Sequence, residues 1–343
     1  MKKRILAVAV IISLTLLCGC SKTNDVQKET KNGQAGTSAE INTTSNSTDS
    51  TTSAEEEATS QEETTSQEKT DYLAMTQPVI ENGHYVFNLY SLSKEAIDTF
   101  GEDFAEFYVK VVDAYMSGET KIPCTNQDYA DMLCIILPRE MPAFEADTTV
   151  NNITDYDGEY ITLHYANTVD EHKKLVEDIK NATNSYLESV SPDDSEQLKA
   201  EKVYNAMSKV MSYDYEGMNT RENIEAYYGM LNHTGVCVTF SNIYMFLLKQ
   251  VGIECTLVSA MSGPDMEGHV FNLVKINGQN YFCDTTFEIS ETKGNGFIYF
   301  GETAENRIND GICKDWMSVG LYNVKDYTEI DIAKKPITII PLS

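Results

Sequence analysis

Apolar positions along this chain change period several times between residues 84 and 300, and each change marks an element. HYVFNLY (84–90) alternates, which predicts a strand. From Ser93 the run SKEAIDTFGEDFAEFYVKVVDAYMSG has apolar residues at helical spacing and stops at Ser117 and Gly118, predicting one helix. DYADMLCIIL (128–137) is a short buried helix or strand ended by Pro138, and YITLHYA (160–166) alternates as a strand. Thr168 with Glu171 three residues later is a capping-box pattern, opening a helix to about 190. Ser191 and Pro192 open another, which ends at SYDY (212–215).

The next elements are sharper. CVTFSNIYMFLLKQ (237–250) places Val238, Ile243, Phe246 and Leu247 for burial and ends at Gly252, predicting a buried helix with Cys237 in its first turn. ECTLVSAM (254–261) and the loop SGPDMEG follow, then two alternating runs joined by Asn277 and Gly278, the strongest short hairpin signal. With those two residues as the loop, Ile276 faces Gln279, Phe271 faces Asp284 and His269 faces Thr286. His269 and Asp284 then share a face as diagonal neighbours, close enough for their side chains to bond. A slip of one residue separates them. The elements before about residue 190 read as an N-terminal α+β region, and the part after it carries the chemistry.

Upstream of residue 72 the patterning disappears. Residues 1–20 open with Lys2, Lys3 and Arg4 and continue as an apolar stretch, the pattern of an export signal, too short for a confident transmembrane helix. Its last residues, Leu17 to Cys20, resemble a bacterial lipobox, which implies cleavage before Cys20 and lipid on that residue. Residues 21–71 are Ser, Thr, Glu, Asn and Gln with almost nothing to bury, and read as a disordered tether. About fifty such residues reach roughly 40 Å. The reading divides the chain into a leader (1–20), a tether (21–71), an N-terminal α+β region of unassigned role (72–190) and a chemistry-bearing domain (191–343).

Charge narrows the partners. Of the net −27, the leader contributes +3 and the tether −7, leaving −23 on residues 72–343. Such a domain repels phosphate backbones and anionic headgroups, which argues against nucleic acid and leaves the N-terminal lipid to hold the membrane. Of eight cysteines, six lie beyond Cys20, with no CxxC pair or Cys/His cluster to suggest a zinc site. Export permits disulfides, and the sequence leaves their pairing open.

Three residues carry the chemistry. A cysteine at a helix start meets unpaired N–H groups and positive potential, which favour a thiolate and can hold an oxyanion. Cysteine is also a common small core residue, and a strand histidine or a strand-end aspartate is unremarkable alone. Cys237, His269 and Asp284 together fit a nucleophile, a base and the acid that orients it.

Residues 191–300 resemble the transglutaminase-like superfamily. The matching features are the helix ending in Tyr213-Asp214-Tyr215, the Gly-x-Cys at 235–237 opening a helix, and LLKQVGI at its end. They continue in Gly-His-x-Phe-Asn at 268–272 and Ile-Asn-Gly…Tyr…Asp-x-Thr across the hairpin. The resemblance implies a papain-like α+β core in which the helix bearing Cys237 packs on an antiparallel sheet bearing His269 and Asp284, with an N-terminal α+β extension. It further implies acyl transfer through a thioester by Cys237, His269 and Asp284, on a protein or peptide substrate, cell-wall peptide included. Hydrolysis is favoured over cross-linking on that basis. The family often has Trp where Phe271 stands, and Cys283 should face the core. No acidic loop has calcium-ligand spacing, so no metal or cofactor is expected. Asp214, Tyr215, Phe271, Trp316 and the Tyr299–Phe300 pair are candidates for the groove, each also suited to core packing. The expected location is the outer side of the cytoplasmic membrane or the cell envelope. A non-catalytic binding or scaffolding lipoprotein that keeps the fold is the alternative.

Overall fold

Helix Cys237–Gln250 buries every residue except Lys249, and the fold is arranged round it. A helix apolar on all sides needs packing on all sides. On one side lies a six-stranded antiparallel sheet, ordered Phe300–Glu302, Gln279–Cys283, Glu267–Ile276, Cys255–Ser262, Ser318–Val319, Lys325–Asp326. Elsewhere the helix meets Glu196–Val210, Ala226–Asn232, Val169–Leu187 and Gln127–Glu140. The structure, a computed structural model, describes residues 70–147, 154–216 and 220–342. The leader, Cys20 and the tether up to residue 69 lie outside the described residues. No helix among the described residues is long and apolar enough to cross a membrane.

The described residues from Asp71 onward form one compact unit. Its main core is continuous across residue 190, joining Tyr108, Tyr115, Leu133 and Ile179 to Tyr204, Phe240 and Tyr244. A smaller core (Val258, Ala260, Phe271, Leu273, Phe282, Ile312, Met317, Val319) fills the other face of the sheet. The architecture is mixed α+β with antiparallel sheets.

Several boundaries differ from the sequence reading. The strand at 84–90 stops at Val86, because beyond it side chains take the backbone donors: Phe87 N–H bonds Asn184 Oδ1 at 2.8 Å and Asn88 N–H bonds Gln250 Oε1 at 2.7 Å. The helix expected from Ser93 is two, Lys94–Phe100 and Asp103–Ser117, broken where Gly101 takes a positive φ of 91°. The stretch at 128–137 is a helix, Gln127–Glu140, and Pro138 sits inside its last turn instead of ending it. The capping box at Thr168 and Glu171 forms as read and starts Val169–Leu187. The following helix begins at Glu196, capped by Ser195, because Ser191 N–H is drawn into a turn by Asp194 Oδ2 at 2.7 Å.

Candidate active site

The glycine before Cys237 has a steric reason. A Cβ on Gly235 would meet Thr239 Cγ2 at 2.6 Å and Thr239 Oγ1 at 2.9 Å. Thr239 must lie there, since its hydroxyl accepts the Val236 N–H at 3.3 Å and donates to the Asn223 carbonyl. That bond satisfies a backbone donor the helix start would otherwise leave open. Ser212–Tyr213 pairs in parallel with Thr234–Gly235, and Asp214 N–H bonds the Gly235 carbonyl at 3.0 Å. Turn and helix start are thereby held from both sides.

The helix is pinned to the strand that carries His269. Ser241 Oγ donates to the Val270 carbonyl at 3.0 Å, and Asn272 Nδ2 donates to the Ser241 carbonyl at 3.0 Å. Further along, Met245 and Lys249 of the helix and Leu273 and Lys275 of the strand border one cavity. Cys237 lies one turn before Ser241 on the same helix face, about 6 Å back along the axis. Cys237 and His269 are both 5 % exposed.

The hairpin keeps the expected register from Ile276 and Gln279 to Asn272 and Cys283. Asp284 then departs from it. Instead of continuing the strand to face Phe271, it caps the short helix Thr285–Phe287, with Oδ1 accepting Phe287 N–H at 3.0 Å. Its other oxygen, Oδ2, accepts from His269 Nε2 at 2.7 Å. The pairing thus forms by a route the extended-strand reading did not contain. With Nε2 on Asp284, Nδ1 is the ring nitrogen that Asp284 does not engage. The imidazole lies between the rings of Phe271 and Phe287, centroids 5.7 and 4.8 Å away.

Arg307, which the sequence reading did not single out, completes the cluster. It is fully buried on Ala304–Asn309. One guanidinium nitrogen donates to Asp284 Oδ2, the oxygen that also receives His269. The other lies 3.1 Å from Glu302 Oε2 and 3.1 Å from Asp310 Oδ2. Its plane is surrounded by Phe271, Phe287 and Tyr299, at 5.0, 4.9 and 5.6 Å. Burial alone would raise the Asp284 carboxyl, but the charges of His269 and Arg307 and the bonds from His269 and Phe287 N–H outweigh it, and the group ends below its ordinary value. Glu302 goes the other way: burial pushes it up to about 7 against the pull of Arg307. A lone arginine in ENRIND offers no periodicity or motif, so only the fold reveals it.

The remaining candidates separate. Phe271 is fully buried under the imidazole, and Tyr299 and Phe300 are buried as well. Tyr215 and Trp316, at 70 % and 61 % exposed, are not core residues. Tyr215 leans on Tyr213 with centroids 4.6 Å apart, beside the turn that leads into Cys237, whereas Trp316 lies in a short turn before the strand Ser318–Val319. Asp214 folds its Oδ1 back onto Glu216 N–H at 2.8 Å. Cys283 is buried, its sulfur accepting Gly301 N–H at 3.4 Å, and burial pushes its thiol up to about 12. Burial likewise raises Cys255 well above the usual range, so neither competes as a thiolate. All six described cysteines are free thiols. Among the described residues no group of three or more His, Cys, Asp or Glu is placed to hold a metal ion.

Residues 184–285 match the family model of the transglutaminase-like superfamily, a match that ends one residue past Asp284. No curated protein matches the chain at a significant level. Among solved structures the chain is similar to a TGase, at 14 % identity over 50 % of each chain with a TM-score of 0.31. It is also similar to a protein of Cytophaga hutchinsonii described as a candidate cysteine protease (16 % identity, 31 % of this chain, 36 % of that one, TM-score 0.27). A third, described as a candidate protease of Parabacteroides distasonis, gives 9 % identity over 55 % of this chain and 36 % of its own, with a TM-score of 0.30. The chain spans between about a third and a half of the length of these structures.

Proposed function

We propose, from the premise that residues 184–285 form a transglutaminase-like superfamily domain, that this protein is a thiol enzyme acting on amide bonds with Cys237, His269 and Asp284 as its catalytic groups. The observation that carries the reading is the His269–Asp284 bond at 2.7 Å on a strand pinned to the helix that begins with Cys237. In this reading the Cys237 thiolate attacks the amide carbonyl, forming a C–S bond while the carbonyl electrons move to oxygen. Backbone N–H groups of the helix start receive that oxyanion. On collapse the C–N bond breaks and the amine leaves with a proton from the His269 imidazolium. A water then gives its proton to His269 and attacks the thioester, and the C–S bond breaks to release the acid. Asp284 keeps the imidazole oriented and its cation stabilised throughout. Water is the acceptor we favour, which makes the activity a protease or amidase. Papain-like describes this core in the sense that a buried cysteine helix lies against an antiparallel sheet.

We further propose that the protein is exported and lipid-anchored at Cys20, with residues 21–71 as a tether, and that its substrate is a protein or peptide of the envelope.

The test is the alkylation rate of each cysteine against pH, read by peptide mass spectrometry in native protein and in His269→Ala. Fast reaction of Cys237 alone, well below an ordinary thiol pKa of about 8.5 and slowed by His269→Ala, is the expected result. A Cys237 indifferent to His269 overturns the reading and leaves a binding lipoprotein. Joining of a labelled amine to protein glutamine, without proteolysis, would replace hydrolysis by cross-linking.

A further inference from the structure

We infer that Arg307 is a positioning residue for the catalytic pair, limiting through Asp284 how strongly His269 holds its proton. The inference rests on the reading of His269 and Asp284 given above, and Arg307 lies beyond the segment that matches the family model.

The geometry is specific. Arg307 and His269 share a single carboxylate oxygen, Asp284 Oδ2. An acceptor that also serves a fixed cation has less negative potential to offer the imidazolium, and the cation itself repels it. Arg307 cannot shed its charge, because guanidinium stays protonated and its three carboxylate neighbours hold it so, even against burial. It cannot turn away either: its other nitrogen is fixed by Glu302 and Asp310 at 3.1 Å each, and three aromatic rings enclose it. The arrangement therefore does two things. It keeps Asp284 ionised and aimed in a fully buried place, and it keeps the imidazolium from becoming so stable that it holds back the proton the leaving amine needs.

Other groups face this pair from the elements around it. Glu302 comes from the strand beside Gln279–Cys283, and Asp310 follows Ala304–Asn309. Tyr204 donates to the Asp284 carbonyl at 3.0 Å and lies 3.4 Å from buried Glu288. Cys237 stands at the start of its helix, and Cys283 precedes Asp284. Arg307 is the fixed cation in contact with Asp284, and Glu302, pushed up to about 7 by burial, tempers it as the pH rises and it ionises. Removing either should move His269 in opposite directions.

The experiment follows the His269 imidazole by NMR titration in intact chain and does not require Cys237 to be reactive. Arg307→Gln is expected to raise the His269 transition by about one pH unit or more, the Coulomb effect of a unit charge at this range with partial screening. No shift, or a downward one, overturns the proposal. Glu302→Gln is nearly isosteric and leaves Arg307 in place, so it serves if Arg307→Gln does not fold. There the transition is expected to fall by several tenths of a unit, and an unchanged or raised value overturns the proposal. Arg307→Lys keeps the charge without the fork, and should restore most of the native transition. A purely structural arginine would lower melting temperature in these variants while leaving the imidazole transition unmoved. If Cys237 itself proves unreactive in native protein while these shifts appear, the catalytic reading fails and the electrostatic one survives.

Discussion

The described residues hold two buried His–Asp pairs, and they share little beyond composition. His269 and Asp284 meet at 2.7 Å, and His172 and Asp147 at 3.0 Å, all four residues at least nine-tenths buried. His172 Nδ1 donates to the Tyr115 carbonyl at 2.9 Å, while Nε2 faces Asp147 Oδ2 at 3.0 Å without a hydrogen bond between them. Its ring is stacked on Tyr115 at 4.2 Å and edged by Tyr165 at 4.7 Å. His269 engages Asp284 through Nε2, on a strand bonded to the cysteine helix through Ser241 and the Val270 carbonyl. The carboxyls differ in sign. Burial holds Asp147 above its ordinary value, with His172 and Asn167 unable to reverse it. Asp284, equally buried, ends below its ordinary value because the charges of His269 and Arg307 and the bonds from His269 and Phe287 N–H act together on it. The lesson is that a buried His–Asp pair is not itself a site. A cation to keep the acid ionised separates the two pairs in the structure, and a nucleophile beside the His269 ring is what the proposed function adds.

The comparison breaks most decisively at the histidines. His269→Ala should slow turnover through Cys237 by about a thousandfold or more, as loss of a general base does in a triad, and alkylation of Cys237 by about tenfold or more, as loss of its thiolate does. His172→Ala should leave Cys237 reactivity within about twofold at a temperature where the protein is folded, while costing about 3 kcal/mol of stability by stranding Asp147. Equal losses of Cys237 reactivity from both would show that the two pairs are not functionally separate.

At the aspartates the signs oppose each other. Asp284 has a folded pKa below its unfolded one, so its stabilisation is present above about pH 4 and lost as pH falls through the folded value. Asp284→Asn should therefore cost about 3 kcal/mol at pH 7, and the gap to native protein should close towards pH 3. Asp147 has a raised folded pKa, so its contribution is fullest below the unfolded value and declines as pH rises through the folded one. The Asp147→Asn gap should thus be widest in acid and narrow on the way to neutral pH. Melting temperatures at pH 3, 5 and 7 read both, and parallel trends would refute the account.

How far each pair was legible in sequence follows from how locally it is encoded. His269 and Asp284 flank a two-residue hairpin, so Asn277-Gly278 sets the register that brings their ends together, and the register holds through Cys283. What alternation misses is the departure at Asp284, because a carboxylate that can cap the next amides competes with the strand ladder. The helix at Cys237 was equally legible, since a run apolar on every face has no other use. Arg307 was not, because its partners lie on a strand, a helix cap and a loop whose meeting depends on the whole sheet. His172 and Asp147 were not for the same reason: the Asp ends Pro142–Asp147 and the His opens Val169–Leu187, with a separate sheet between them in the chain. The N-terminal region sharing a core with the chemistry-bearing part is likewise a product of long-range packing, as in Asn88 and Ser91 bonding Gln250 at the end of the cysteine helix.

Two glycines sharpen the contrast at smaller amplitude. Gly235→Ala sets a methyl 2.6 Å from Thr239 Cγ2, two residues before Cys237. It should cost about 2 kcal/mol and also slow Cys237 alkylation several-fold, since the clash acts on the turn that aims the helix start. Gly118→Ala sets a methyl 2.4 Å from Val169 Cγ2 at a positive φ of 78°, against the first turn of the His172 helix. Its cost should be about 2 kcal/mol or more, with Cys237 reactivity unchanged once stability is allowed for.

The smallest expected effect comes from Tyr215, one of the aromatic residues beside each pair. Tyr165 closes the His172 pair, its ring edge against the imidazole and its hydroxyl donating to the Glu119 carbonyl at 2.7 Å. Tyr165→Ala should therefore cost about 2 kcal/mol and leave Cys237 chemistry alone. Tyr215 closes nothing: it is 70 % exposed and touches Tyr213, whose strand runs beside the turn into Cys237. An exposed ring so placed adds little to stability, but it offers a flat apolar surface to a chain lying across the helix start. Tyr215→Ala should shift the melting temperature by less than about 1 °C, since substitutions at exposed positions stay within about 0.5 kcal/mol. Peptide KM should rise several-fold with kcat held, the pattern of lost uniform binding. A lowered kcat at constant KM would instead place Tyr215 in the reacting geometry, and no kinetic change at all would remove it from the groove.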